Sequence, residues 1–219
     1  MREPALSAKI KKRAHRAVAF AQDVLVAAAY DALPGPVLHG GTAIWRCYGG
    51  TRFSEDVDVY EPGYTPQGGT RLRQGLAAKG ARELKFKATA STVFGKFELA
   101  GAQVSFEATI RPPPGRLVMP YETLGGGTML VATLPAEELL AEKAAAYVAR
   151  RKVRDLYDVL FLLGKAEDRK RAAAPLRRLA AAYEPPVDAA QLKAIVLAGT
   201  VPEPEEMIEA VRRWARRYT

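Results

Sequence analysis

The chain has 219 residues, 48% hydrophobic and 26% charged, enough for one good-sized globular domain or a core with a helical appendage. Its net charge of +9 favours a polyanionic partner such as RNA, DNA or nucleotide. One cysteine, Cys47, excludes an intrachain disulfide, the two histidines His15 and His39 argue against zinc, and no apolar run is long enough to span a bilayer.

In chain order, Leu6, Ile10, Ala14, Val18, Ala21, Leu25 and Ala28 recur at helical spacing and predict one long helix over 7–33. Its N-terminal lead, Met1-Arg2-Glu3-Pro4, lacks the apolar core of a signal peptide, so a cytoplasmic location is expected. Pro34-Gly35-Pro36 stops the helix. A short buried strand is expected at 37–38, a short helix at 42–48, and a strand at 57–60. Residues 62–69 read as loop and 71–79 as helix. Strands are expected at 84–89, 92–99 and 103–110, the last two joined through Ala100-Gly101. Pro112-Pro113-Pro114-Gly115 breaks the pattern, and the stretch to Gly127 reads as loop. Helices follow at 137–150, 153–163, 166–183, 188–197 and 203–218. Strands early and helices late predict an α+β protein, with a mixed-sheet core over 1–134 and a helical C-terminal region over 135–219 that completes the active site.

The densest chemistry lies where Val37-Leu38-His39 runs into Gly40-Gly41-Thr42, followed by Asp56-Val57-Asp58. Glycines between a strand and a helix N-terminus let backbone N–H groups approach a phosphate. Carboxylates at i and i+2 of a strand share a face and can share a hard cation, magnesium or manganese. A phosphate cradle beside a carboxylate pair suits transfer of a nucleotide from its triphosphate. Gly49-Gly50, Gly68-Gly69 and Gly125-Gly126-Gly127 are also glycine runs, but none precedes such a strand. Glu107, opposite the apolar row Val104, Phe106, Ala108 and Ile110, is either an ordinary solvated strand residue or a third acid for the metal.

A second segment runs from Lys143 through Arg150 to Asp155 and Asp158. Lys143 and Arg150, seven apart, share one helix face, and the two aspartates, three apart, share another. The aspartates border an apolar stripe, so half-buried charges with partners are expected. They form either an ion-pair cluster tying two helices together or a lysine aimed at a triphosphate and held by an aspartate. Composition does not choose between these.

Together, Gly-Gly-Thr-Ala, Tyr48-Gly49-Gly50, Arg52-Phe53-Ser54-Glu55-Asp56-Val57-Asp58, Lys143 and Arg154-Asp155-Leu156-Tyr157-Asp158 resemble the AbiEii-type nucleotidyltransferases. These are toxins of a type IV toxin–antitoxin class that includes the MenT-like enzymes. The resemblance runs in order from about Val37 to Leu163. It implies a DNA polymerase β-like nucleotidyltransferase fold and transfer of a nucleoside monophosphate from an NTP, with tRNA 3′ ends as the acceptor in relatives and an antitoxin protein as partner. It also implies that Gly40 and Gly41, with Thr42 and Ser54, face the triphosphate. Asp56 and Asp58, with Glu107, would hold magnesium. Lys143 would contact the phosphates, with Asp155 as the aspartate of the R-D motif and Asp158 close behind. One departure is His39, where many members carry a lysine, which implies weaker or pH-dependent phosphate binding.

The residues leave two further readings open. One is a nucleotidyltransferase acting on a protein or small molecule; the other is a non-catalytic RNA- or partner-binding module of the same fold. Basic clusters at residues 9–16, 150–154 and 212–217 favour RNA, and intact Asp56, Asp58 and Lys143 count against a dead enzyme.

Overall fold

The computed structural model describes residues 6–218, which divide into two compact units. One takes the chain up to Cys47 and Phe53–Leu134; the other takes Tyr48–Arg52 and the chain from Pro135 onward.

The first unit opens with α1 (Leu6–Lys9) and α2 (Arg13–Ala32), not with one continuous helix. At the break, the Arg16 side chain donates to the Ile10 carbonyl at 2.7 Å, taking an acceptor that a continued helix would use. Ile10 is nevertheless fully buried, so the predicted apolar face is real across the break. Then come β1 (Val37–His39), α3 (Gly40–Tyr48), β2 (Val57–Tyr60) and α4 (Pro66–Ala78). The expected loop before α4 is shorter than predicted, because Thr65 caps the helix by accepting from the Gly68 amide and Pro66 is preset for its first turn. β3 (Arg82–Ala88), β4 (Thr92–Leu99) and β5 (Ala102–Thr109) follow as an antiparallel meander. Ala100 and Gly101, both at positive φ (50° and 76°), form the tight turn between β4 and β5.

The largest correction is at 112–127, expected as loop. It contains β6 (Leu117–Glu122), which pairs antiparallel with β7 (Thr128–Thr133). β6 carries Pro120, but it is the last strand of the sheet, where a residue without an N–H is tolerated. The order is β3-β4-β5-β2-β1-β7-β6, with β2/β5 and β1/β7 parallel and the other neighbours antiparallel. This bears out the predicted mixed sheet. α2 packs on β5 and α4, burying Ala21, Leu25, Val26 and Ala29.

Arg46 ties the unpredicted hairpin to the helices. Its guanidinium donates to the carbonyls of Ala19 (2.8 Å) and Glu122 (3.0 Å) and to Asp23 (2.9 Å). The Trp45 ring lies 4.2 Å away and the Tyr121 ring 5.1 Å. Asp23 also accepts from the Leu124 amide and the Tyr121 hydroxyl.

The second unit is helical: α5 (Ala136–Arg150), α6 (Val153–Leu162), α7 (Arg169–Ala181), a 3-10 turn at Ala189–Gln191, α8 (Leu192–Ile195) and α9 (Pro204–Arg217). The helix expected over 188–197 is only this turn plus α8, since beyond it the chain is extended. The Leu197 amide donates to the Thr51 carbonyl at 2.8 Å, and Val196 bridges to Arg52. α9 starts on a capping box between Glu203 and Glu206, with Pro204 in the first turn. Among the described residues no helix is long and apolar enough to cross a membrane.

Replacing Arg46 by Met leaves the Asp23 carboxylate in a largely buried site without its cation. Breaking such a pair costs about 3 kcal/mol or more, so calorimetry should show the melting temperature lowered by roughly 6–12 °C.

Candidate active site

In the first unit β1 ends at His39 and α3 begins at Gly40 with no intervening loop. Gly40 has φ +70°, a conformation that L side chains rarely adopt, and a Cβ on it would lie 2.5 Å from Asp58 Oδ2. Backbone and carboxylate are therefore as close as a residue without a side chain permits. Asp58, half-buried on β2, is in register with His39 of β1 on one side and Glu107 of β5 on the other. Register partners on neighbouring strands project to one face at about 4.8 Å spacing. Glu107 is exposed while Val104, Phe106 and Ala108 are buried, so it points away from the core as predicted. The His39 ring stacks on Tyr60 at 4.3 Å between centroids.

Asp56 is placed differently from the expectation. β2 begins at Val57, so Asp56 is exposed and one residue ahead of the strand, and strand alternation does not fix its direction. Its backbone is held instead by Thr42, whose hydroxyl donates to the Asp56 carbonyl at 2.5 Å. Gln22 on α2 donates to Thr42 Oγ1 (3.3 Å) and to the Ser54 carbonyl (2.9 Å). Thr42 is fully buried, and its side chain braces the 54–56 segment. Ser54 is half-buried. Gln22, a polar residue on the buried face of α2, was missed; the signal was an amide interrupting an otherwise apolar helical row.

Among the described residues no three His, Cys, Asp or Glu side chains gather closely enough to form a metal cage. Magnesium is commonly held by one or two carboxylates completed by water and substrate phosphates. Asp58 with Glu107 or Asp56, next to a backbone with no side chain in the way, is an oxygen-only donor set of that kind.

In the second unit α5 and α6 bring together a buried ion cluster. Lys143 Nζ lies 3.4 Å from Asp155 and 3.1 Å from Asp158. Arg150 meets both oxygens of Asp155, at 2.8 and 2.9 Å. Arg52 meets both oxygens of Asp158, at 2.8 and 2.7 Å. Asp155 is 0% exposed and Asp158 2%, deeper than the half-burial expected from sequence. Burial raises the Asp158 pKa, but Arg52 and Lys143 outweigh it and hold the carboxyl below its ordinary value. Asp158, expected at the nucleotide, has its oxygens on Arg52 and Lys143 and holds those cations in place. Asp155 does hold both Lys143 and Arg150, the partners expected for it. The three cations and two carboxylates sum to +1, so the cluster is a fixed source of positive potential. Arg52 was not picked out as a site residue, because an arginine in a loop carries no periodic signal. Its neighbours fix it: Thr51 Oγ1 and Tyr157 Oη are 2.7 Å apart, and the Thr51 carbonyl accepts from Leu197.

Two outcomes follow. Gly40→Ala drives a methyl into the Asp58 carboxylate and strains the backbone, so transfer activity should fall at least about a hundredfold in a labelled-NTP assay, the scale of losing a catalytic contact. Asp158→Asn leaves Arg52 and Lys143 undercompensated at neutral pH. Because the folded pKa is depressed, the stabilisation is present above the ordinary carboxylate value and lost as pH falls through the folded one. Thermal melts should therefore show a large gap between wild type and variant at pH 7 that closes below about pH 4.

The family model "Nucleotidyl transferase AbiEii toxin, Type IV TA system" matches residues 23–213. Similar solved structures include a putative nucleotidyltransferase from H. pylori, with TM-score 0.63 and 20% identity over 91% of this chain and 94% of that one. JHP933 from Helicobacter pylori has TM-score 0.61 and 20% identity over 91% of each chain. MenT4, a nucleotidyltransferase toxin from Mycobacterium tuberculosis, has TM-score 0.57 and 16% identity over 92% of each. At these identities the structures show the shared fold, as predicted. No curated protein matches the sequence significantly. A family match across most of the chain, on a sheet that carries the Gly40 turn beside Asp58, shows that the protein belongs to the AbiEii nucleotidyltransferase toxin family of type IV toxin–antitoxin systems.

Proposed function

We propose that the protein is a magnesium-dependent nucleotidyltransferase that moves a nucleoside monophosphate from an NTP to RNA, with a tRNA 3′ end as the acceptor, and that it is the toxin of a type IV pair neutralised by a cognate antitoxin. The observation that carries the reading is the approach of the Gly40 backbone to Asp58, with Glu107 in register on the next strand. The amides at the start of α3, at Gly40 and Gly41, suit a phosphate, and Ser54 faces the same group. Asp56 and Asp58 would hold the metal, which when bound would neutralise phosphate charge and polarise the α-phosphorus.

The protein's own part is then positional and electrostatic. The acceptor hydroxyl attacks the α-phosphorus, the bond to the bridging oxygen breaks, and pyrophosphate leaves. Glu107 is exposed and able to accept the hydroxyl proton. Lys143, held by Asp155 and Asp158, offers an ammonium to the charge that grows on pyrophosphate. His39 stands where many family members carry a lysine, so the triphosphate lacks that lysine's permanent charge. The net charge of +9 and the arginine clusters favour RNA over a protein or small-molecule acceptor.

Lys143→Ala tests the catalytic reading against the purely structural one. Asp155 keeps Arg150 and Asp158 keeps Arg52, so neither carboxylate is orphaned. Incorporation of α-labelled NTP into total tRNA should fall about 10²-fold or more, while the melting temperature drops by only a few degrees. An unchanged rate per folded molecule with a collapsed melting temperature would show that the lysine is only an ion-pair partner.

A further inference from the structure

We propose that a groove between α7 and α9, in the helical unit, is the docking surface for the sugar-phosphate backbone of the acceptor RNA; this rests on the RNA reading above and adds where that RNA is held. The groove is about 310 Å³ and is lined by Arg177, Ala180 and Ala181 from α7 and Arg212, Ala215 and Arg216 from α9. The larger apolar residues of the two helices, Leu176, Leu179, Met207, Ile208 and Val211, are buried and do not line the groove, whose floor is small side chains with guanidinium groups around it. A narrow floor without bulky residues admits a phosphate chain closely, and arginine grips phosphate with paired, co-planar N–H groups.

The bland alternative is that these arginines serve the helix. Cations in the last turn do complement the helix dipole. However, Arg212 and Arg216, like Arg213 and Arg217, stand four apart on α9, where like charges repel and destabilise the helix. Of the acids on this helix, Glu205 and Glu206 lie in its first turn, and Glu209 is contacted by Arg212 at 2.7 Å. A fold that needed only a dipole partner has no use for four arginines there. Aromatic rings accompany the charge: Arg212 lies 5.8 Å from the Tyr183 ring, and Arg169 and Arg217 lie 4.8 and 5.7 Å from the Tyr218 ring. Arginines with interleaved aromatics suit a nucleic acid better than a lone anion.

An acidic protein segment fits less well. Protein interfaces are anchored by large apolar side chains at their centre. Among the described residues the large hydrophobics that stand exposed are Phe20, Val118, Leu130, Val148 and Val187, and none lines this groove.

The test is binding of total tRNA by anisotropy over a range of salt concentrations, using wild type, the triple variant Arg177→Ala/Arg212→Ala/Arg216→Ala, and the same positions changed to Lys. Nucleotide affinity and melting temperature are read on each preparation. The alanine triple should bind RNA about tenfold or more weakly near 0.1 M salt, and the slope of log K against log salt should shrink by about 2–3. The lysine triple should keep the wild-type slope, and NTP affinity should not move. Should the alanine triple fail to fold, the single variants Arg177→Ala and Arg216→Ala should each lower the slope by about 0.7–0.9. Wild-type RNA binding that the alanine variants leave unchanged overturns the groove while the RNA-acceptor reading stands. Wild type that binds polyglutamate but not RNA overturns both.

Discussion

The architecture of the candidate site depends on one steric fact: at Gly40 there is no room for even a methyl group beside Asp58 Oδ2. The chain turns directly from β1 into α3, so the first amides of the helix are delivered beside a carboxylate on the adjacent strand. Helix N-termini attract anions and a carboxylate repels them. A cation shared between them would resolve that conflict for a triphosphate, which is the physical case for the proposed metal. Gln22 and Thr42 serve the same end from inside, fixing the backbone at Ser54 and Asp56 so that the exposed Asp56 is not left on a free loop.

The helical unit solves a different problem. Lysine and arginine are costly to bury, and buried aspartates more so, yet here they are combined so that every carboxylate has two cations. The surplus positive charge is therefore held on a rigid scaffold. The same arrangement makes the unit's stability depend on acid, because the Asp158 carboxyl must remain ionised.

Much of this was legible in the sequence, and the failures have physical causes. The long apolar periodicities of α2 and α5, the β4–β5 hairpin with its Ala100-Gly101 turn, and the order of glycines before aspartates all carried local signals. The β6–β7 hairpin did not, because Pro120 is a breaker everywhere except at a sheet edge, and which strand is the edge is a property of the whole sheet. Thr42 and Asp158 were recognised as members of the constellation, but which residues they hold was not. Their partners, Asp56 and Arg52, are fixed by folding rather than by spacing. Arg52 and Gln22 show the same limit: a buried polar side chain that braces a loop has no periodic signature.

The most direct measurement is Mn²⁺ binding to the protein in the presence of a non-hydrolysable NTP, followed by electron paramagnetic resonance, for wild type and for Asp56→Ala and Asp58→Ala. It reads the proposed metal–nucleotide site without depending on turnover or on the identity of the acceptor. The account predicts a nucleotide-dependent Mn²⁺ signal in wild type that both variants lose while remaining folded. Retention of that signal in the Asp58→Ala protein would contradict it.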